Sequence, residues 1–115
     1  MPHKPPFLLP EEIERFAALG ERLRLARRRR GISSADMARQ AFVSRSTVYK
    51  LEAGDPGATL GSYFRVLETL GLGADIDKIA ADDKVGRRLQ DFVLGLTARG
   101  NRKRAKLLLD TDWEN

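Results

Sequence analysis

Cysteine is absent from this chain, which excludes a disulfide framework, a thiolate zinc site and a cysteine nucleophile. The single histidine, His3, stands among prolines with no neighbouring ligand or nucleophile, so neither metal binding nor general-base catalysis is expected of it. Aromatic residues make up 7% of a chain that is 42% hydrophobic, a mix that suits helices packed through Leu, Val, Ile and Ala better than a β-sandwich. No stretch approaches the roughly 18 uninterrupted apolar residues that a membrane span needs. The opening MPHKPPFLLP interrupts with proline the apolar core that a secretory signal requires. A soluble, cytoplasmic chain without a membrane partner is the expectation. Asp75, Asp77, Asp82 and Asp83 lack the glycine and terminal glutamate of a calcium loop and read as helix caps and solvated acids. No metal, no cofactor and no enzyme active site is therefore expected. No internal repeat is visible, and 115 residues suit one compact domain with short arms.

What is abundant is positive charge, unevenly placed. The formal net charge is +5. Residues 1–54 hold 11 Lys/Arg against 6 Asp/Glu; residues 55–98 hold 5 against 7, and residues 99–115 hold 5 against 3. A polyanionic partner would meet the first half and the tail, leaving the middle for another task.

The punctuation is that of an all-α chain. Pro10 followed by Glu11, Glu12 and Glu14 opens a first helix over about 11–30, with acids at its positive dipole end. Ile13, Phe16, Leu19, Leu23 and Ala26 recur at helical spacing on it, and Gly31 stops it. Ser33 or Ser34 caps a short second helix that turns Met37, Ala38 and Ala41 inward. Ser44 caps a third, Arg45 to Ala53, with Val48 and Leu51 on its apolar side. Gly54-Asp55-Pro56-Gly57 is a stop and turn, and Thr59 caps a fourth helix that carries Leu60, Tyr63, Phe64, Val66, Leu67 and Leu70 and ends at Gly71. A fifth runs from about Ile76 to Leu96, with a break expected near Asp82-Asp83. The resulting division is a flexible arm over 1–10, a four-helix domain over 11–72, a helical dimerisation segment over 73–98 and a flexible tail over 99–115. The dimer is expected because Ile79, Leu89, Phe92, Val93 and Leu96 exceed what one small domain can cover.

Two short helices, each with a serine cap and joined by about four residues, describe a helix-turn-helix, in which the second helix enters the major groove where base edges differ. Gly20-Glu21-Arg22-Leu23-Arg24, Arg27, Gly31-Ile32-Ser33, Met37-Ala38, Val43-Ser44-Arg45-Ser46-Thr47-Val48 and Leu51-Glu52-Ala53-Gly54 resemble the lambda-repressor/Cro-type (XRE) helix-turn-helix over about residues 19–71. The segment from Gly54 to Tyr63, with Val66-Leu67, Leu70-Gly71-Leu72, Ala80-Ala81-Asp82-Asp83 and Gly86-Arg87-Arg88-Leu89, is similar to HipB-like antitoxins, which are encoded beside HipA-like kinase toxins. The resemblance implies a lambda-repressor-like domain of four to five helices. It also implies that Arg45, Ser46 and Tyr49 lie in the groove, with Ser34, Thr47 and Lys50 near phosphates or bases, and that Arg27 pairs with Glu52. Two departures stand out: Ser34 replaces a frequent glutamine, and Phe42 occupies the turn position where the family usually has glycine.

Arg27-Arg28-Arg29-Arg30 reads either as a phosphate clamp or as a solvated helix end. Trp113, alone among Asp110, Asp112 and Glu114, reads either as a loose terminus or as an anchor for a partner. The function implied is a dimeric repressor on an inverted-repeat operator in double-stranded DNA, with a HipA-like kinase as a further partner. The rivals are a generic XRE or phage-type regulator without a toxin, and an interaction module that no longer binds DNA.

Overall fold

A computed structural model describes residues 7–98, all of whose regular structure is helical. The elements are α1 (Pro10–Arg29), α2 (Ser34–Ala41), α3 (Arg45–Glu52), α4 (Leu60–Thr69), a 3-10 turn (Gly73–Lys78) and α5 (Lys84–Ala98). The chain divides into two compact units, Met1–Asp77 and Lys78–Asn115.

In the first unit each helix start has a visible cause. Pro10 is the first residue of α1, and the Glu12 carboxylate accepts the Leu9 amide at 2.9 Å. Ser33, rather than Ser34, caps α2 by accepting the Asp36 amide at 3.1 Å. Ser44 accepts the Thr47 amide at 3.0 Å and Thr59 accepts the Ser62 amide at 3.1 Å. Each such cap satisfies an amide that the helix itself leaves unpaired, worth about 1 kcal/mol. The first four helices also end alike, on a residue in the left-handed region: Gly31, Phe42, Gly54 and Gly71. At Phe42 (φ 58, ψ 42) the following amide, Val43, reaches back to the Ala38 carbonyl at 3.0 Å. A phenylalanine therefore makes the turn that glycine makes elsewhere in this domain, at a cost of about 1–2 kcal/mol. Its ring is exposed, and the Arg65 guanidinium lies 5.2 Å from its centroid.

The core is Leu23 and Ala26 from α1, Met37, Ala38 and Ala41 from α2, Val48 and Leu51 from α3, and Val66 and Leu70 near α4. Ile32, Val43, Ala58, Tyr63, Leu67 and Leu72 close over it. Ile13 and Leu60, which helical spacing placed with the apolar faces, are more than half exposed. Both sit in the first turn of their helices. Tyr63 is half-buried, yet its hydroxyl is wholly buried with no hydrogen-bond partner among the described residues, and burial pushes its pKa up against the opposing charge of Arg22.

In the second unit α5 starts where Asp83 accepts the Gly86 amide at 2.9 Å. The break expected near Asp82-Asp83 is there, and it is wider than a kink: Lys78 ends the 3-10 turn and Ala80 sits at φ 59. The segment from Ile76 to Asp83 is thus not α-helical, because the acids that cap α5 compete with continuing the preceding turn. Val85, Leu89, Phe92 and Leu94 on α5 are exposed, while Val93 is buried.

Candidate nucleic-acid interface

Three elements fix α3. Its inner face, Val48 and Leu51, is almost fully buried. At its end, Glu52 takes a two-pronged ion pair from Arg27 of α1, Nε to Oε2 at 2.7 Å and Nη2 to Oε1 at 3.0 Å. The remaining arm of Arg27 donates to the Ile32 carbonyl at 2.8 Å, so one guanidinium ties α1, α3 and the loop after α1 together. Backbone meets backbone at the same place. A Cβ on Gly20 would lie 2.6 Å from the Glu52 carbonyl oxygen and 2.7 Å from the Gly54 nitrogen. One on Gly54 would lie 2.5 Å from the Phe16 carbonyl oxygen. Only residues without side chains allow α1 and the end of α3 to approach this closely.

With that inner side locked, the outer side of α3 presents Arg45, Ser46, Tyr49 and Lys50, all exposed. Among the described residues neither Arg45 nor Lys50 is in an ion pair, whereas Arg39 of α2 is paired with Asp36 at 2.7 Å. Thr47 is half-buried and its hydroxyl lies 2.9 Å from that of Ser44, inside the cap. Ser34 is the first residue of α2 and half-buried, so its place is beside the open amides of a helix start. The face thus combines two uncommitted cations, a phenol and hydroxyls on a capped helix.

The four arginines closing α1 divide by role. Arg27 is structural, Arg30 donates to the Ala26 carbonyl of its own helix at 2.8 Å, and Arg28 and Arg29 are exposed. Trp113, read as a loose terminus or as a partner anchor, and the arm before Phe7 lie outside the described residues.

Residues 18–77, more than half of the chain, match the family model described as "Helix-turn-helix domain". The chain belongs to the helix-turn-helix domain family. The uncharacterized HTH-type transcriptional regulator y4mF of Sinorhizobium fredii is 32% identical over 68 residues, which is 59% of this chain and 90% of that protein. No solved structure matches the chain. The matched range contains α2, the turn at Phe42 and α3.

Reading residues one at a time missed the backbone contact at Gly20 and Gly54. The signal was present as two glycines, one inside a helix where propensity disfavours it. The buried hydroxyl of Tyr63 and the Arg65–Phe42 contact left no sequence signal.

Proposed function

We propose that this chain is a sequence-specific DNA-binding repressor that acts as a dimer and binds an inverted repeat, and that it is the autoregulating antitoxin of a HipA-like kinase toxin. The observation that carries the DNA reading is the exposed outer face of α3, with Arg45 and Lys50 in no ion pair among the described residues, on a helix whose inner face is locked. Arg45, in the first turn, is suited to a bidentate contact with the guanine edge; Ser46 and Tyr49 read adjacent bases less selectively. Lys50, Thr47 and Ser34 hold the register on phosphates or neighbouring bases. Two such helices related by a two-fold axis engage successive major grooves about 34 Å apart. The dimer reading is supported by Val85, Leu89 and Phe92, an exposed apolar stripe at i, i+4 and i+7 on α5. The antitoxin reading is supported by the similarity to HipB-like sequences of Gly54 to Tyr63, Val66-Leu67, Leu70-Gly71-Leu72, Ala80-Ala81-Asp82-Asp83 and Gly86-Arg87-Arg88-Leu89. Function is then occupancy of a promoter and sequestration of a partner, without chemistry on either.

The test is titration of the DNA upstream of the gene at several salt concentrations, alongside random DNA. Native protein should prefer the upstream sequence and lose affinity steeply with salt, because counterions are displaced at two half-sites. Arg45→Ala should weaken specific binding by about 1–3 kcal/mol and relax base preference. Equal losses on both DNAs would reduce Arg45 to a phosphate contact, and absent or salt-independent binding would remove the DNA reading. Co-purification with the product of the neighbouring gene tests the antitoxin half separately.

A further inference from the structure

Away from the α3 face, the first unit carries a groove of about 320 Å³ along α1. Leu19, Leu23, Leu25 and Ala26 form one apolar wall, and Leu67 and Leu72 the other. Arg22 and Arg29 line it two helical turns apart, about 10 Å along the axis. Neither is in an ion pair among the described residues, and the one carboxylate on the lining is Asp75. Such a groove fits a ligand that is apolar along one side, acidic along the other and no larger than a short segment, since about 300 Å³ is the small end of ligand-sized cavities.

The sequence outside the described residues contains such a segment. Residues 107–114 read Leu-Leu-Leu-Asp-Thr-Asp-Trp-Glu, with three leucines, the single tryptophan of the chain and three acids. Extended, the stretch from Asp110 to Glu114 spans at most about 14 Å, enough to set carboxylates against both guanidiniums with an indole between them. We infer that the α1 groove of one copy receives residues 107–114 of a second copy. Trp113 fills the apolar floor, and the acids meet Arg22 and Arg29. Exchange of a terminal segment between two-fold-related copies covers an apolar groove on each and needs no further partner. The inference rests on the dimeric reading above. If the tail also anchors a partner, one of the two readings of Trp113, partner binding and tail exchange compete for the same segment.

Because Trp113 is the only tryptophan, its fluorescence reports the tail alone. The full-length chain is compared with Arg22→Glu/Arg29→Glu and with Leu25→Glu, which alter exposed positions on α1, while sedimentation follows the oligomeric state. The expected result is blue-shifted, quencher-protected emission in the native dimer. It should revert to solvated emission in both variants and on dilution to monomer, with the helical circular dichroism retained. A native dimer with solvated emission overturns the inference while leaving the dimer standing. Protected emission that both variants leave unchanged overturns it by placing the indole elsewhere. Protection that persists in the monomer overturns the exchange between copies, and a chain that is monomeric throughout overturns the dimeric reading and this inference together.

Discussion

Removing one partner of the Arg27–Glu52 pair should cost far more than removing both. The side chains are 12% and 9% exposed, and both prongs of the pair are short. Arg27→Met leaves the Glu52 carboxylate mostly shielded from water without its counterion, a situation that costs about 3–5 kcal/mol when burial is complete. The residual exposure lets the carboxylate lean outward, so about 3 kcal/mol is the working figure, of which the lost bond to the Ile32 carbonyl supplies about 1. For a domain of this size that lowers the melting temperature by about 10–20 °C, a large part of a stability of about 5–15 kcal/mol. Arg27→Met/Glu52→Leu replaces both charges with apolar side chains and should recover all but about 1 kcal/mol, so the coupling energy exceeds about 2 kcal/mol by whatever Glu52→Leu costs alone. Urea unfolding followed by circular dichroism on the native chain, both single variants and the double variant measures the cycle. A double variant as unstable as Arg27→Met, or a single variant within 0.5 kcal/mol of native (about the noise of such a cycle), would refute the view that this pair fastens α3 to α1.

Gly20→Ala should destabilise by about 2 kcal/mol or more in the same assay, reversing the usual gain from adding a helix-favouring alanine, because its Cβ meets backbone atoms that cannot rotate away. Phe42→Gly should be more stable than Phe42→Ala by about 1 kcal/mol, since only glycine relieves the left-handed cap while both lose the ring beneath Arg65. Tyr63→Phe should gain about 1 kcal/mol by deleting a buried hydroxyl without a partner. With the folded pKa of Tyr63 raised above 10.0, its neutral form is favoured in the native state. The native chain therefore loses stability as pH rises past 10, and the Phe variant should lose less over that window.

Local chemistry was the legible part of this chain. The serine and threonine caps, the terminating glycines and the inward residues of α2 and α3 follow from neighbours within four positions, and the structure places them where spacing does. The Arg27–Glu52 pair came through family resemblance, since nothing in the spacing of residues 25 apart announces a contact. Less legible were features decided by the packing of distant segments. Ile13 follows the same period as Leu23 yet ends in solvent, because periodicity says which side of a helix is apolar and not how far its neighbours extend. The stretch from Ile76 to Asp83 has helical composition, but whether its acids solvate or cap is settled by the start of α5. In the α3 face, exposure can be expected from the pattern; that neither Arg45 nor Lys50 is in an ion pair among the described residues required the placement of the carboxylates around them.

The contact of Gly20 with the end of α3 bears on how such a protein changes its target. A recognition helix held through side chains shifts whenever those side chains are exchanged, so specificity and docking angle drift together. Here two stretches of main chain in direct contact help to set the angle, beside the buried inner face and the Arg27–Glu52 pair, and the residues that face outward take no part in it. On the proposed DNA reading, Arg45, Ser46, Tyr49 and Lys50 can therefore be rewritten one by one, each substitution altering the bases preferred while the helix keeps its seat. New operators would then be reachable by single exchanges, whereas a side chain at Gly20 or Gly54 would meet main chain.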